Sequence, residues 1–173
     1  MTEAVPSWAY ERISVLGPDP AWPARAVALA AELAEVLATT VEHVGSTAVP
    51  GLATKPIIDL MAERESFDGV ESIADELAPL GWHYVPPELD QREYRRFFVH
   101  VVAGHRDAHL HLLLANSERW RQQLLFRDRL RRDEQLRQHY ASLKRRLAQR
   151  YPDDREGYTV AKAEFIAAAL ATE

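Results

Sequence analysis

Cysteine is absent from all 173 residues, which removes disulfides and thiolate metal sites from consideration. A cytoplasmic protein fits that composition. No apolar run approaches the roughly 20 residues that a membrane helix needs, so no membrane partner is expected. The opening segment "MTEAVPSWAYERISVLG" is too polar for a secretory leader. Residues 1–11 of it read as a short tail before one domain spanning 12–173, a length that accommodates one real core. Internal repeats and low-complexity tracts are missing too.

What is present is ordinary in bulk and uneven in detail. Apolar residues make up 47% and charged residues 27%, the composition of a globular protein. The net charge of −5 conceals an asymmetry: Arg119 to Arg150 holds eleven basic against three acidic residues, so the rest of the chain stands at −13. A basic segment on an acidic protein suggests an anionic partner, and a solvated helix face accounts for it as well. Aromatic residues suited to stacking single strands do not interleave with it, so nucleic acid is not the expected partner.

Hydrophobic periodicity places the elements. "RISVLG" (Arg12 to Gly17) reads as a strand, and a helix follows with Asp19 capping, Pro20 in its first turn and Leu29, Leu33 and Val36 buried. "VEHV" (Val41 to Val44) and "PIIDLMA" (Pro56 to Ala62) alternate as strands. A helix capped by Ser66 and ended by Gly81 carries Val70, Ile73, Leu77 and Leu80 inward. "WHYV", "RRFFVHVVA" and "HLHLLL" give further strands, the last two antiparallel around "GHRD". Helices then run from Ser117 to about Arg131, from beyond a break near Asp133 through Leu147, and from Glu156 to Leu170. That order predicts an α+β fold: a mixed sheet flanked by helices, with a helical C-terminal third.

The chemistry concentrates in "VEHVGSTAVPGLATKPIIDLMA", Val41 to Ala62. Glycine lets backbone amides approach an anion, so Gly45 and Ser46, with the Ser46 and Thr47 hydroxyls, suit a phosphate. Lys55 is a mobile positive charge nearby, and Asp59, in mid-strand, could hold a Mg²⁺ that bridges phosphates. His109 and His111 lie two apart on one strand and share a face. With Asp59 they could gather a transition metal such as Zn²⁺ or Fe²⁺, and His43 could join or replace one of them; hydrogen bonding to neighbours or to a phosphate explains the same histidines. Arg95 and Arg96 point to opposite strand faces, so only one can enter the site, where it would suit a phosphate or carboxylate. Trp22 and Trp120 suit the core better than a base.

The stretch "EHVGSTAVPGLATKPIIDL" resembles the signature of the GrpB family, small proteins of nucleotidyltransferase fold. "LGPDPAWP", "RRFFVHV", "HLHLLL", "FRDRLR", "YASLKRRLA" and "YTVAKAEFIAAAL" resemble its other blocks, so the likeness covers nearly the whole chain. The resemblance implies a nucleotidyltransferase-like sheet; related domains occur fused to dephospho-CoA kinases. It also draws attention to Lys144 and Lys162 as lysines of the C-terminal blocks, with Arg127 a further candidate beside the bland reading of surface salt bridges. The expected ligand is a nucleotide or other phosphorylated small molecule, with nucleotidyl transfer a possible activity. A working transferase usually has a second carboxylate two places after the first, where this chain has Met61, and a thioether does not replace it on Mg²⁺. That departure leaves a non-catalytic phosphate-binding module and an Asp/His/His metal-dependent hydrolase as alternatives. Fold analogy does not choose among them.

Overall fold

The computed structural model describes residues 6–171. Five strands form one mixed sheet: β1 (Val41–Val44), β2 (Ile58–Arg64), β3 (Trp82–Val85), β4 (Arg95–Val102) and β5 (His105–Leu114). Their spatial order is β1-β2-β5-β4-β3. β2 and β5 run parallel at the centre, and every other neighbouring pair is antiparallel. The α+β expectation holds.

Alternation along the central strands sorts side chains to two faces. Ile58, Leu60 and Ala62 of β2 and Ala108, Leu110 and Leu112 of β5 join the main core. The covering helices are α1 (Trp22–Leu37) and α2 (Val70–Leu77). Ala26, Leu29, Leu33 and Leu37 form the buried stripe of α1, and Val70, Ile73 and Leu77 that of α2. The opposite face carries Asp59, Met61, His109, His111 and Leu113, and the C-terminal helices gather over this side: α4 (Glu118–Arg132), α5 (Glu134–Arg150), α6 (Arg155–Ala161) and α7 (Ala163–Ala171). The second core joins Val49 and Leu52 of the loop before β2 to Phe126, Leu130, Tyr140 and Ala141. Much of the basic segment serves as struts here. Arg127 donates to Glu42 and to the His43 carbonyl, and Arg131 donates to the Ala48 carbonyl.

Several boundaries differ from expectation. "RISVLG" makes a single bridge, Leu16 with Thr54, rather than a strand; Ile13 is tied instead to the Pro152 carbonyl, and the prolines at 18 and 20 offer no N–H to extend a ladder. The α1 N-cap is Ala21, its amide held by Asp19 at 2.8 Å. Ser66 caps a turn at Asp68 while Gly69, at φ +73°, precedes α2. A short helical turn, α3 (Pro87–Asp90), was not expected. Ser117 caps α4 and the break falls at Asp133, as read from the sequence. The expected last helix is two, split at Lys162. There the hydrogen bond shortens to the Thr159 carbonyl, and the Thr159 hydroxyl takes the Arg155 carbonyl. A threonine bonding backward in this way bends a helix. Among the described residues no helix is long and apolar enough to cross a membrane.

Candidate functional site

The site begins where β1 ends. Gly45 turns the chain at φ +68°, a conformation that disfavours any side chain, and a Cβ there would lie 2.6 Å from Asp59 Oδ2. The glycine therefore lets the strand carboxylate close against the Gly-Ser turn. Sheet register completes the cluster, since Asp59 lies opposite His109 and Met61 opposite His111 in the parallel pair. Asp59 Oδ1 stands 3.3 Å from His109 Nδ1 and 3.3 Å from His111 Nε2. The Asp59 side chain keeps 31% of its exposure, so the cluster opens outward.

Each imidazole also meets an arginine on its far nitrogen. Arg95 Nη1 is 2.6 Å from His111 Nδ1, and Arg106 Nη1 is 3.3 Å from His109 Nε2. Arginine only donates, so those outer nitrogens accept and the hydrogens sit on the nitrogens facing Asp59. Arg95 is itself fixed by two bonds to the buried Asp90, at 2.5 and 2.8 Å, while Arg96 lies across the sheet over the Phe67 ring. Burial lowers both histidines, His109 to about 3, with the Asp59 hydrogen bond opposing. Burial alone would raise Asp59, but hydrogen bonds from His109 and His111 prevail and hold its acid well below the usual range. The result is an ionised carboxylate between two neutral imidazoles.

This wiring does not fit a metal ion, although Asp59, His109 and His111 bring ligand atoms within 4.8 Å of one another. A ligating imidazole presents a lone pair to the metal and gives its other N–H to an acceptor; here both guanidiniums impose the reverse. Mg²⁺ would also want oxygen ligands, and Met61 is 1% exposed in an apolar cluster with Val44 and Leu113. His43 does not reach the cluster. It pairs across the ladder with Leu60, on the other face, and its Nε2 is 2.9 Å from the Thr47 hydroxyl. That contact occupies Thr47, which is buried. Burial lowers His43 to about 4. Arg127 is bound to Glu42 and Asp128, so it belongs to the ion-paired struts.

The C-terminal helices bring cations to the same side. Lys144, on α5, is 1% exposed, and among the described residues its Nζ has no hydrogen-bond partner. Its ammonium lies 4.8 Å from the Tyr140 ring centroid; Lys55 and Lys162 lie 5.1 and 4.4 Å from that of Tyr158. Burial lowers all three, to about 6 for Lys144, about 7 for Lys55 and about 8 for Lys162; the other two lysines lower Lys144 further, and Asp59 pulls each back up. Among the described residues none of the three has a carboxylate at ion-pair distance. Tyr140 lies near Ser46, which brings α5 against the Gly-Ser turn. Tyr140, Tyr158, Arg106 and Asp90 were missed in the sequence. The first two carried a signal, since each tyrosine sits four places before a lysine and so on the same helix face.

The lysines make stability depend on pH. Folded Lys144 holds its proton only below about 6, whereas an ordinary lysine holds it to 10.5. Between those values the unfolded chain binds more protons, so stability rises with pH at up to about 1.4 kcal/mol per unit for one fully buried lysine. Lys55 and Lys162 act in the same direction above about 7 and 8. Thermal unfolding without added anions should therefore show a rising Tm from pH 6.5 to 9.5; a flat or falling profile would mean the lysines are already compensated.

A nucleotidyltransferase-like sheet, with a Gly-Ser turn closed against a strand aspartate, defines the class of this fold. A crystal structure of the Cid1 poly(U) polymerase superposes over 79% of the chain with a TM-score of 0.53, and at 18% identity, spanning 45% of that protein, it speaks for the fold alone. The chain belongs to the GrpB family, whose model, "GrpB protein", matches residues 12–172. A UPF0157 protein of Pseudomonas aeruginosa is 41% identical over 167 residues, covering 92% of this chain and 67% of its own length. The crystal structure of GrpB from Enterococcus faecalis superposes with a TM-score of 0.79 at 30% identity, covering 91% of this chain and 97% of that one.

Proposed function

We propose that this protein binds a phosphorylated small molecule, a nucleotide or sugar phosphate, on the open face of its sheet. The observation that carries the reading is the side-chain nitrogen of Lys144, buried over the Tyr140 ring with no hydrogen-bond partner among the described residues and with Lys55 and Lys162 as neighbouring cations. A buried polar group without a partner is costly. Three lysines face one Asp59 carboxylate, and a phosphate dianion arriving among them would hold all three protonated, returning each toward its ordinary pKa. The carboxylate adds specificity. Oδ1 faces both imidazoles, while a carboxylate offers about four acceptor positions, so Asp59 keeps capacity for a ligand hydroxyl. A phosphate ester bearing a hydroxyl matches both halves. Two-metal nucleotidyl transfer needs a second free carboxylate, and Met61 stands at its place while Glu42, opposite on β1, is bound by Arg127, which favours binding over transfer.

Calorimetry and thermal shift with inorganic phosphate, AMP, ATP and a sugar phosphate, each with and without EDTA, test the reading. Phosphorylated compounds should raise Tm progressively with concentration, and EDTA should leave the shift intact. Phosphorus NMR of the same mixtures reports turnover. The absence of any shift with phosphorylated compounds at about 10 mM would refute phosphate binding, because even a weak native-state ligand stabilises at that excess.

A further inference from the structure

The proposed lysine site, or lysine hollow, has a cavity beside it that Lys55 lines. This cavity of about 380 Å³ lies among the N-terminal segment, the approach to β2, the start of β5 and the start of α6. Lys55, Arg106, Arg155 and Glu11 line it, with His105 at its rim. Lys55 belongs to both spaces: its ammonium is lowered by burial, then by Lys162 on one side and by Arg155 and Arg106 on the other.

Arg12 lines it too but is paired with Asp153 at 3.8 Å, which leaves three cations, Lys55, Arg106 and Arg155, facing one acid. Glu11 accepts from the Arg106 amide at 3.2 Å and lies 2.7 Å from His105 Nδ1, but its carboxylate is 3.7 Å from Arg155 Nη2. Much of the two guanidiniums' hydrogen-bonding capacity goes unused. Arg106 gives Nε to the Trp8 carbonyl and Nη1 to His109, and Arg155 gives Nε to the Glu11 carbonyl. A guanidinium has five N–H groups, so donors remain on each. Both are less basic than an ordinary arginine, chiefly through burial, Arg106 at about 10 and lowered further by Arg155. Such a pair, short of negative charge at a cavity wall, is suited to a phosphate, which takes guanidinium donors two at a time.

We infer that this cavity receives a second phosphate of the same ligand, so that the ligand is a diphosphate: one phosphate on Lys144 and Lys162, the next on Arg106 and Arg155, with Lys55 between. The inference rests on the reading of the lysine hollow given above. Glu11 is the internal anion that the second phosphate displaces, which gives the N-terminal segment a part in recognition.

Calorimetry with pyrophosphate and inorganic phosphate at fixed ionic strength tests this. The intact protein should bind pyrophosphate about tenfold more tightly than phosphate, the worth of one charge-assisted hydrogen bond. Arg155→Met should erase that preference and leave phosphate affinity within about twofold. Glu11→Gln should widen it several-fold, and this variant serves if Arg155→Met does not fold. Equal affinity for the two anions, or an Arg155→Met variant that weakens both alike, overturns the diphosphate inference while leaving the lysine hollow standing. Failure to bind either anion removes both readings.

Discussion

Lys144→Met should make the unliganded protein more stable while removing its affinity for phosphate. The two effects share one cause. At pH 7 the unfolded chain carries Lys144 as a solvated ammonium, whereas the folded chain must strip that charge of water or release its proton, since burial and the two neighbouring lysines hold its pKa at about 6. A pKa unit is worth about 1.4 kcal/mol, so this burial costs on the order of several kcal/mol. Methionine has similar length, fills gaps readily and asks for no partner. The structure should gain about 2–4 kcal/mol, in line with replacing buried charges by apolar groups. For a chain of this size that corresponds to a rise in Tm of about 5–10 °C. Lys144→Ala does not test the same thing, because the cavity left behind offsets the gain.

The loss of binding should be as large as the gain in stability. Phosphate affinity should fall by at least about a hundredfold, the worth of one buried charge-assisted contact of about 3 kcal/mol. Thermal unfolding and calorimetry on one preparation read both quantities. A variant that is destabilised, or that still binds phosphate at the original affinity, would show that the Lys144 ammonium is satisfied in some other way. The stability–function trade-off expected at a binding site is here assigned to a single atom, Lys144 Nζ.

The same pattern explains which parts of this molecule could be read from its sequence. Strands and helices with strong periodicity were legible because their buried stripes are local: Leu29 and Leu33 on α1, or Ile58 against Asp59 on β2, announce their faces at fixed spacing. The Gly-Ser turn and Asp59 were legible as chemistry because Gly45 must be glycine for the carboxylate to approach. Counting in twos put His109 and His111 on one strand face, but only the sheet register puts that face beside Asp59, and counting could not reveal their hydrogens. Those positions follow from Arg95, which meets His111 across the β4–β5 pair, and from Arg106, only three residues before His109 on β5, a spacing that regular alternation would send to the opposite face. Met61 looked like a lost ligand. In the fold it is also a core residue, packed with Val44, Leu113, Trp120 and Leu124. The lysine trio was readable only as separate charges, since Lys55 precedes β2 while Lys144 and Lys162 arrive on helices about 90 to 110 residues later, held by packing that no local pattern encodes.

Met61→Asp separates a lost catalytic residue from a structural one. If the chain were a transferase lacking one carboxylate, restoring aspartate two places after Asp59 should create a Mg²⁺ site and turnover. The structure predicts destabilisation instead. Met61 is 1% exposed and packs with Val44, Leu113, Trp120 and Leu124, while the residues opposite it are His111 on β5, whose far nitrogen is already held by Arg95, and Glu42 on β1, already bound by Arg127. An aspartate there would be a buried charge without a partner, a change that costs about 3–5 kcal/mol or more, much of the total stability of a domain of this size. Two carboxylates would also stand two residues apart on one strand face, where each raises the other's pKa and favours a neutral acid over a metal ligand. Circular dichroism should show a Tm lowered by about 10 °C or more, and Mg²⁺ at millimolar concentration should not restore it. A folded Met61→Asp protein that Mg²⁺ stabilises would reverse the assignment, giving the family fold a dormant two-carboxylate centre in place of a carboxylate held by two imidazoles.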